Sequence, residues 1–196
     1  MTDTPSPIGE GLALVRQVFG EVATDVVKLT FGNRLHEAQL ENAVKLRTKT
    51  KERLASHGIE MDDARISPNV GVPLLEAAQN ESREELQELW AKLLACAINP
   101  KTSHLYRRQF VGIIRAFEPI DALVIQELDR IRSVQTQENP RNYVATRLGF
   151  TQDQVQMSFE SLRDLNCVAA TADRPIAGGA VHLTVQGREL LRALNA

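Results

Sequence analysis

The chain has 196 residues, of which 43% are hydrophobic, 24% charged and only 5% aromatic, and its net charge is −2. This is an ordinary globular composition, large enough for one or two domains and, with few aromatics, leaning toward helices. It has no basic excess that would draw the whole molecule to nucleic acid or anionic lipid. The two cysteines, Cys96 and Cys167, cannot build a disulfide framework, so we expect a reducing cytoplasm.

Residues 1–9 lack the basic and apolar regions of a signal peptide, and we expect them to form a flexible tail. Between residues 11 and 57, apolar residues recur at spacings of three and four, which predicts helices with a break near Gly32. Gly58 is expected to end this helical region. No stretch is apolar for long enough to span a bilayer as a helix, so we do not expect integral membrane insertion.

Two helices are predicted after a linker at residues 59–66. Ser67-Pro68 has the residue types of an N-cap and a first helical position. Ser82 and Glu85 match a capping box that opens the second helix, and Asn99-Pro100 is expected to end it. Its helical apolar spacing favours a core position for the chain's single Trp over a partner groove. The predicted core anchors are Leu86, Leu89, Trp90, Leu93, Leu94 and Phe110.

A further helix is expected to run from Tyr106 to Phe117, where Glu118-Pro119 breaks it. We place a domain boundary at this break. Residues 10–118 are predicted to form a helical domain, and residues 119–196 a second domain with a different pattern.

The second domain has the signals of three helices, a β-hairpin and a final helix. Asn139-Pro140 predicts the start of the second helix and Gly149 its end, and Thr151 with Gln154 predicts a capping box on the third. β signals at 167–171 and 180–183 lie on either side of a turn region around Pro175 and Gly178-Gly179.

The last helix begins in the phrase LTVQGRELL, in which Thr184 is expected to cap and Gly187 to let the helix pack closely on the hairpin. Many winged-helix proteins have a similar phrase after the second wing strand. We therefore predict a mainly α protein: an N-terminal helical bundle followed by a winged helix-turn-helix-like domain with a small β-hairpin.

Two stretches, SPNVGVPLLEAAQNESREELQELWAKLLACAINP at 67–100 and FVGIIRAFEPIDALVIQEL at 110–128, resemble the Abi-alpha family of bacterial proteins. These proteins are associated with abortive infection, a form of phage defence. The resemblance implies a helical, non-enzymatic protein with a role in defence, and it supplies no catalytic residues.

The chain has none of the motifs HExxH, GxxxxGK[ST], GxGxxG or GxSxG. Neither cysteine pairs locally with a His at zinc spacing, and the apolar surroundings of Cys96 favour a buried side chain over a reactive thiol. We therefore predict no enzyme activity, no catalytic or metal-binding residues and no cofactor.

Basic residues supply candidate binding positions, although solvated helix ends explain several of them equally well. The candidate anion or partner contacts are Lys45, Arg47, Lys49, Lys51, Arg107 and Arg108. The candidate nucleic-acid contacts of the winged helix are Arg141, Arg147, Gln152, Gln154, Arg174 and Arg188.

The expected function is that of an interaction or regulatory protein acting through protein–protein contacts in phage defence. Residues 60–88 carry eight acidic and two basic residues, which suits pairing with the basic helix of another copy, and a homodimer is the first candidate partner. The alternative is a DNA-binding regulator, but its recognition helix, 151–166, carries three acidic residues and one Arg. A third hypothesis, membrane action, rests on the amphipathic stripe at 12–31.

Overall fold

The computed structural model describes residues 37–60, 66–133, 139–170 and 181–196. The predicted tail, the helices before residue 37, the amphipathic stripe and the turn near Gly178 lie outside the described residues. The chain divides into two compact units, one ending at Arg115 and the other beginning at Ala116. The described part is mainly helical with one small two-stranded antiparallel sheet, which confirms the predicted mainly α class.

The first unit is built around one helix. Its elements are α1 (Glu37–Ser56), α2 (Pro68–Ala78), α3 (Glu84–Ile98), a 3-10 turn (Ser103–Leu105) and α4 (Gln109–Arg115). Helices α1, α2 and α4 all pack against α3, and eleven of its 15 residues are buried. A helix buried over so much of its circumference forms the centre of a core rather than one side of it. All six of the predicted core anchors are at most 1% exposed.

The start of α3 differs from the prediction. The expected capping box of Ser82 and Glu85 is wrong, because the N-cap is Arg83 and it has no side-chain capping bond. Instead, the Glu81 carboxylate accepts hydrogen bonds from the backbone N–H and the Nε–H of Arg83, both at 2.9 Å. These bonds stabilise an extended Arg83, so the helix begins at Glu84. Ser67 lies at the N-cap of α2, also without a side-chain capping bond.

The helix predicted from Tyr106 to Phe117 is also shorter than expected. Tyr106 is extended, with ψ at 136°, and α4 covers only Gln109–Arg115. The guanidinium of Arg107 donates to the backbone carbonyl of His104 at 3.0 Å and, more weakly, to that of Tyr106. A side chain that bonds these carbonyls stabilises the non-helical backbone before α4.

The described part of the second unit has three helices, two strands and a last helix. These are α5 (Pro119–Ser133), α6 (Pro140–Leu148), α7 (Gln152–Asp164), β1 (Val168–Ala170), β2 (Val181–Leu183) and α8 (Val185–Leu194). Helix α7 packs on α5, α6 and β1, while α8 packs on α5 and β2. The strands are antiparallel, with Ala169 opposite His182.

The predicted helix boundaries in this unit are confirmed by their hydrogen bonds. The Asn139 side chain accepts from the N–H of Arg141, and Gly149 has a left-handed φ of 74° at the end of α6. Thr151 and Gln154 make both bonds of the capping box on α7. Thr184 caps α8 by accepting from the Gly187 N–H at 3.0 Å.

Gly187 allows the close packing that the sequence predicted. A Cβ atom at this position would lie 2.1 Å from the carbonyl oxygen of Cys167, far inside van der Waals contact. That carbonyl also accepts from the Thr184 N–H at 3.0 Å. The start of α8 is therefore held directly against the backbone that leads into β1.

We expect Gly187→Ala to lower the free energy of unfolding by about 1–3 kcal/mol, because the added methyl group must displace the Cys167 backbone. Gly112→Ala is the matched control, because Gly112 is exposed in α4 and a Cβ there meets nothing within 4 Å. The control should be neutral or stabilising by up to about 1 kcal/mol. Urea unfolding measures both, and equal stabilities of the two variants would contradict the packing argument.

Candidate functional site

Acidic residues from the segment 60–88 form ion pairs with cations of the same chain. Lys49 of α1 places its Nζ 2.6 Å from Glu84 Oε1 and 3.5 Å from Glu88 Oε2 on α3. Glu81 pairs with Arg83 at 2.9 Å. Two of the eight acidic residues in the segment that suggested a homodimer, Glu84 and Glu88, therefore pair with α1 of the same chain.

The candidate cations of α1 fall on two faces of the helix, because Lys45 and Lys49 are four residues apart and so are Arg47 and Lys51. Lys45 and Lys51 are exposed, Arg47 is partly buried, and Lys49 is occupied by its ion pairs. Positions spread around a helix do not converge on one anion. The structure therefore does not bring these four residues together as a single site.

The sequence did not predict a buried polar network that joins α1 to the start of α3. Gln87 of α3 is 2% exposed, and its amide donates to Asn42 Oδ1 at 3.0 Å and to the Glu81 carbonyl at 2.7 Å. Asn42 of α1 in turn donates to the Gln79 carbonyl at 3.0 Å. Two amides in separate helices become a network only when the helices pack, so neither helix alone carried the signal. The network positions α1 and the loop before α3.

A cationic loop follows α3, and we call residues 101–108 the basic loop. Its start is fixed, because the Lys101 N–H donates to Asn99 Oδ1 at 2.9 Å and Thr102 exchanges hydrogen bonds with Cys96. Lys101, Arg107 and Arg108 are exposed. No carboxylate in the described ranges lies within ion-pair distance of these three side chains. The loop thus presents positive charge that the described neighbours leave unbalanced.

Neither cysteine has the setting of a reactive thiol. Both are free and buried. Burial raises the pKa of Cys96, and burial together with the nearby Asp121 charge raises the pKa of Cys167 to about 12. A thiol with a raised pKa is rarely a thiolate near neutral pH, so both behave as small packing residues.

A buried carboxylate ties α5 to α7 in the second unit. Asp121 is 1% exposed, and it accepts hydrogen bonds from Ser158 Oγ at 2.5 Å and from Ser161 Oγ at 3.0 Å. It also accepts from the backbone N–H of Glu118 at 3.0 Å, at the start of α5. Three donors satisfy a carboxylate that burial would otherwise penalise. The sequence held only a weak signal, two serines three residues apart on α7.

Most candidate nucleic-acid contacts are engaged within the unit. Arg147 lies 3.4 Å from the carboxylate of Glu127, which is 3% exposed and also pairs with Arg130. Arg188 donates to the Leu183 carbonyl at 2.7 Å. Such bonds hold guanidinium groups to the protein and reduce their freedom to reach phosphates.

The remaining candidate contacts on α6 and α7 make different hydrogen bonds and do not meet at one place. Arg141 donates to Gln152 Oε1 at 3.2 Å, which brings these two together. Gln154 is occupied in the capping box of α7. Arg174 lies outside the described residues. The six positions therefore do not form one basic surface in the part of the chain that the structure describes.

The outer face of α7 is acidic around an exposed apolar side chain. Met157 is 70% exposed, and Asp153 and Glu160 stand four residues before it and three residues after it. These spacings place the three on one face of a helix. We call Asp153, Met157 and Glu160 the acidic stripe. Neither carboxylate has a cationic partner among the described residues, although Gln156 donates to Glu160 at 2.9 Å.

A cleft of about 200 Å³ lies between α5, the start of α6 and β2. Its lining includes Leu128, Ile131, Val181, His182, Leu183 and Arg188. Residues 134–138 and 171–180, which adjoin these elements in sequence, lie outside the described part, and we assign the cleft no occupant.

The described residues contain neither a metal-binding cluster nor a membrane-spanning helix. No group of three or more His, Cys, Asp or Glu side chains there is arranged to hold a metal ion. Within the same residues, no helix combines the length and the apolar composition needed to cross a bilayer.

We expect the Lys49–Glu84 pair to make stability depend on pH. The hydrogen bond from Lys49 lowers the pKa of Glu84 below its ordinary 4.5, so its stabilisation is present above that value and is lost as pH falls through the folded pKa. Both side chains are near solvent, so the effect is at most about 1 kcal/mol. In urea unfolding, Lys49→Met should destabilise more at about pH 7 than at about pH 3. Lys51→Met, without a carboxylate partner in the described residues, should show no such difference; a pH-independent effect of Lys49→Met would count against the pair.

Asp121→Ala should lower the free energy of unfolding by about 2–3 kcal/mol, because it leaves the buried Ser158 hydroxyl without its acceptor. Asp121→Asn, which keeps one acceptor oxygen, should cost less. The control Asp153→Ala removes an exposed carboxylate and should cost no more than about 1 kcal/mol. Chemical denaturation measures the free energy of unfolding of each variant. Equal losses for Asp121→Ala and Asp153→Ala would show that the hydrogen bonds to Asp121, here called the Asp121 hub, contribute little to stability.

Comparison with known proteins gives the chain a family. The model of the family described as Abortive infection alpha matches residues 38–179, which is more than half of the chain. No curated protein and no solved structure matches significantly. The match begins in α1 and continues through β1, so both the central helix of the first unit and the Asp121 hub of the second lie within it. The chain belongs to the Abortive infection alpha family, which points to a role in abortive infection, a form of phage defence.

Proposed function

We propose that this chain is a non-enzymatic interaction or regulatory protein of abortive infection, acting through protein–protein contacts in the bacterial cytoplasm. The observation that carries the proposal is the acidic stripe, where Met157 is 70% exposed between Asp153 and Glu160. Methionine is common at binding surfaces because its flexible side chain fits varied partners. The flanking carboxylates favour a partner that presents basic residues.

The same surface disfavours the alternative of a DNA reader. In a winged helix the third helix is the one that enters the groove, and here that helix is α7. Non-specific affinity for DNA comes from cations that contact its phosphates, whereas the exposed carboxylates of α7 repel those phosphates. The cations that would offset them are engaged elsewhere, since Arg147 pairs with Glu127 and Arg188 bonds the Leu183 carbonyl.

The order of elements in the second unit supports the winged-helix assignment. Three helices precede a two-stranded antiparallel sheet, and a capped helix follows it. Winged helices serve both as DNA readers and as protein-docking modules, so the surface rather than the fold separates the two functions.

The chemistry of the described interior supports a non-enzymatic role. The buried carboxylates Asp121 and Glu127 are engaged in hydrogen bonds and ion pairs that join helices. The two buried thiols have raised pKa values. Two free cysteines also suit a reducing cytoplasm.

We expect Met157→Lys to abolish phage protection in a bacterial host that the wild-type chain protects, because it places a cation in the centre of the acidic stripe. The measurement is the plaque count, with the cellular protein level and the thermal unfolding of the purified variant shown to be unchanged. Val185→Lys is the matched control and should leave protection intact, because Val185, at 68%, is the other large apolar residue that is strongly exposed among the described residues.

A direct test separates this proposal from its alternative. Fluorescence anisotropy of a labelled random duplex, at low and moderate salt, should show no binding by the wild-type chain. Binding that weakens steeply with salt and is reduced by Arg141→Glu, but not by Lys51→Glu, would overturn the proposal and identify a DNA reader.

A further inference from the structure

We infer that the partner of the acidic stripe is the basic loop of a second copy of this chain, so that copies associate head to tail. This inference rests on the proposed function, which requires a protein partner for α7. It assigns that partner from the charges that the chain itself leaves unbalanced.

The basic loop has the charge that the stripe lacks. From Leu89 to Phe117 the chain contains no acidic residue, and Lys101, Arg107 and Arg108 are exposed. The described residues supply no carboxylate within ion-pair distance of these cations. In contrast, Lys49 on α1 is already paired with Glu84 and Glu88. Lys101 and Arg108 of the loop are therefore open to an external anion, whereas the Arg107 guanidinium bonds the His104 carbonyl.

The stripe is the matching anionic surface of the second unit. Asp153 and Glu160 are exposed and lack a cationic partner among the described residues, whereas Asp164 lies 3.5 Å from Arg163. Met157 projects between the two unpaired carboxylates. In the basic loop, Leu105 and Tyr106 are partly exposed beside the cations, which supplies apolar area for Met157. Each surface thus has charge at its edges and apolar atoms near its middle, as interfaces usually do.

The loop is held ready for such a contact. Its backbone turns are closed by bonds from the N–H groups of Thr102 and Ser103 to the Asn99 carbonyl, at 3.0 and 2.8 Å. The Arg107 guanidinium is fixed by the carbonyl of His104 at 3.0 Å. Little conformational entropy is lost when a preorganised loop binds.

The contact joins two unlike surfaces. Reciprocal contacts between two copies close a dimer, whereas successive contacts build rings or open chains. One loop and one helix face are smaller than the roughly 800 Å² per partner of a standard interface, which predicts weak, reversible association. Because the attraction is largely electrostatic between exposed groups, it should be lost at high salt.

Sedimentation velocity of the full chain at high protein concentration tests the inference, at about 0.01 M and about 1 M salt, where the Debye length falls from about 30 Å to about 3 Å. The wild-type chain should form dimers and larger species at low salt and become monomeric at high salt. The loop variant Lys101→Glu/Arg108→Glu should be monomeric at low salt, as should the stripe variant Asp153→Lys/Glu160→Lys.

Mixing the two variants is the decisive arm. The loop variant has an acidic loop and an acidic stripe, and the stripe variant has a basic loop and a basic stripe. In the mixture, the surfaces of one variant meet surfaces of opposite charge on the other, so the mixture should associate. The control Lys45→Glu/Lys51→Glu reverses two exposed charges on α1 and should associate as the wild type does. Far-UV circular dichroism verifies that every variant is folded.

Three results would overturn the inference: a monomeric wild type at low salt, association that survives both reversals, or a mixture that stays monomeric. Binding of a labelled duplex to the basic loop with no self-association would also reject it and assign the loop to nucleic acid. If self-association is absent but Met157→Lys still abolishes phage protection, the proposed protein contact stands with a different partner. If Met157→Lys leaves protection intact while copies associate, the proposed function fails and self-association remains.

Discussion

Burial of α3 on nearly all sides is the constraint on which the first unit depends. A helix that buries eleven of 15 residues needs neighbours around most of its circumference, and α1, α2 and α4 supply them. Leucine and alanine dominate its sequence and Trp90 adds the largest buried ring, so packing is dense and tolerates little change in volume. The two ends of α3 carry charge of opposite sign: an acidic start, where Lys49 pairs with Glu84 and Glu88, and the basic loop that follows the helix.

Buried carboxylates play the equivalent organising role in the second unit. Asp121 and Glu127, both on α5, are 1% and 3% exposed, and each needs partners that neighbouring elements provide. Asp121 takes its donors from α7, while Glu127 takes a cation from α6. Removing either set of partners would leave a buried charge uncompensated, which is among the most costly defects in a folded protein. The three helices are therefore held in one arrangement by charge as well as by packing.

These internal pairings decide which surfaces remain for function. Cations that seemed suited to DNA, Arg147 and Arg188, are bonded within the second unit, and Glu84 and Glu88 at the start of α3 pair with Lys49 of α1. Among the described residues, the basic loop of one unit and the acidic, Met-centred helix face of the other stay free of such pairs. These two surfaces carry opposite charge, and the inferred contact between copies rests on that difference.

The sequence by itself determined the local features of this protein. The helical spacing of α3 and the caps at Asn139, Thr151 and Thr184 depend on neighbours within a few residues. The phrase around Gly187 predicted its close packing, although the contact is with the backbone of Cys167, twenty residues earlier in the chain. Only the tertiary structure decided the rest. The Asn42–Gln87 network, the Asp121 hub and the Lys49 pair join residues 35 or more positions apart, and no local pattern encodes such meetings. The start of α3 is a local feature that the residue pattern did not predict, because a bond from Arg83 to Glu81, two residues earlier, replaces the expected capping box. Which charges stay free for a partner follows from these long-range pairings, because a charged side chain is available for binding only after folding has left it unpaired.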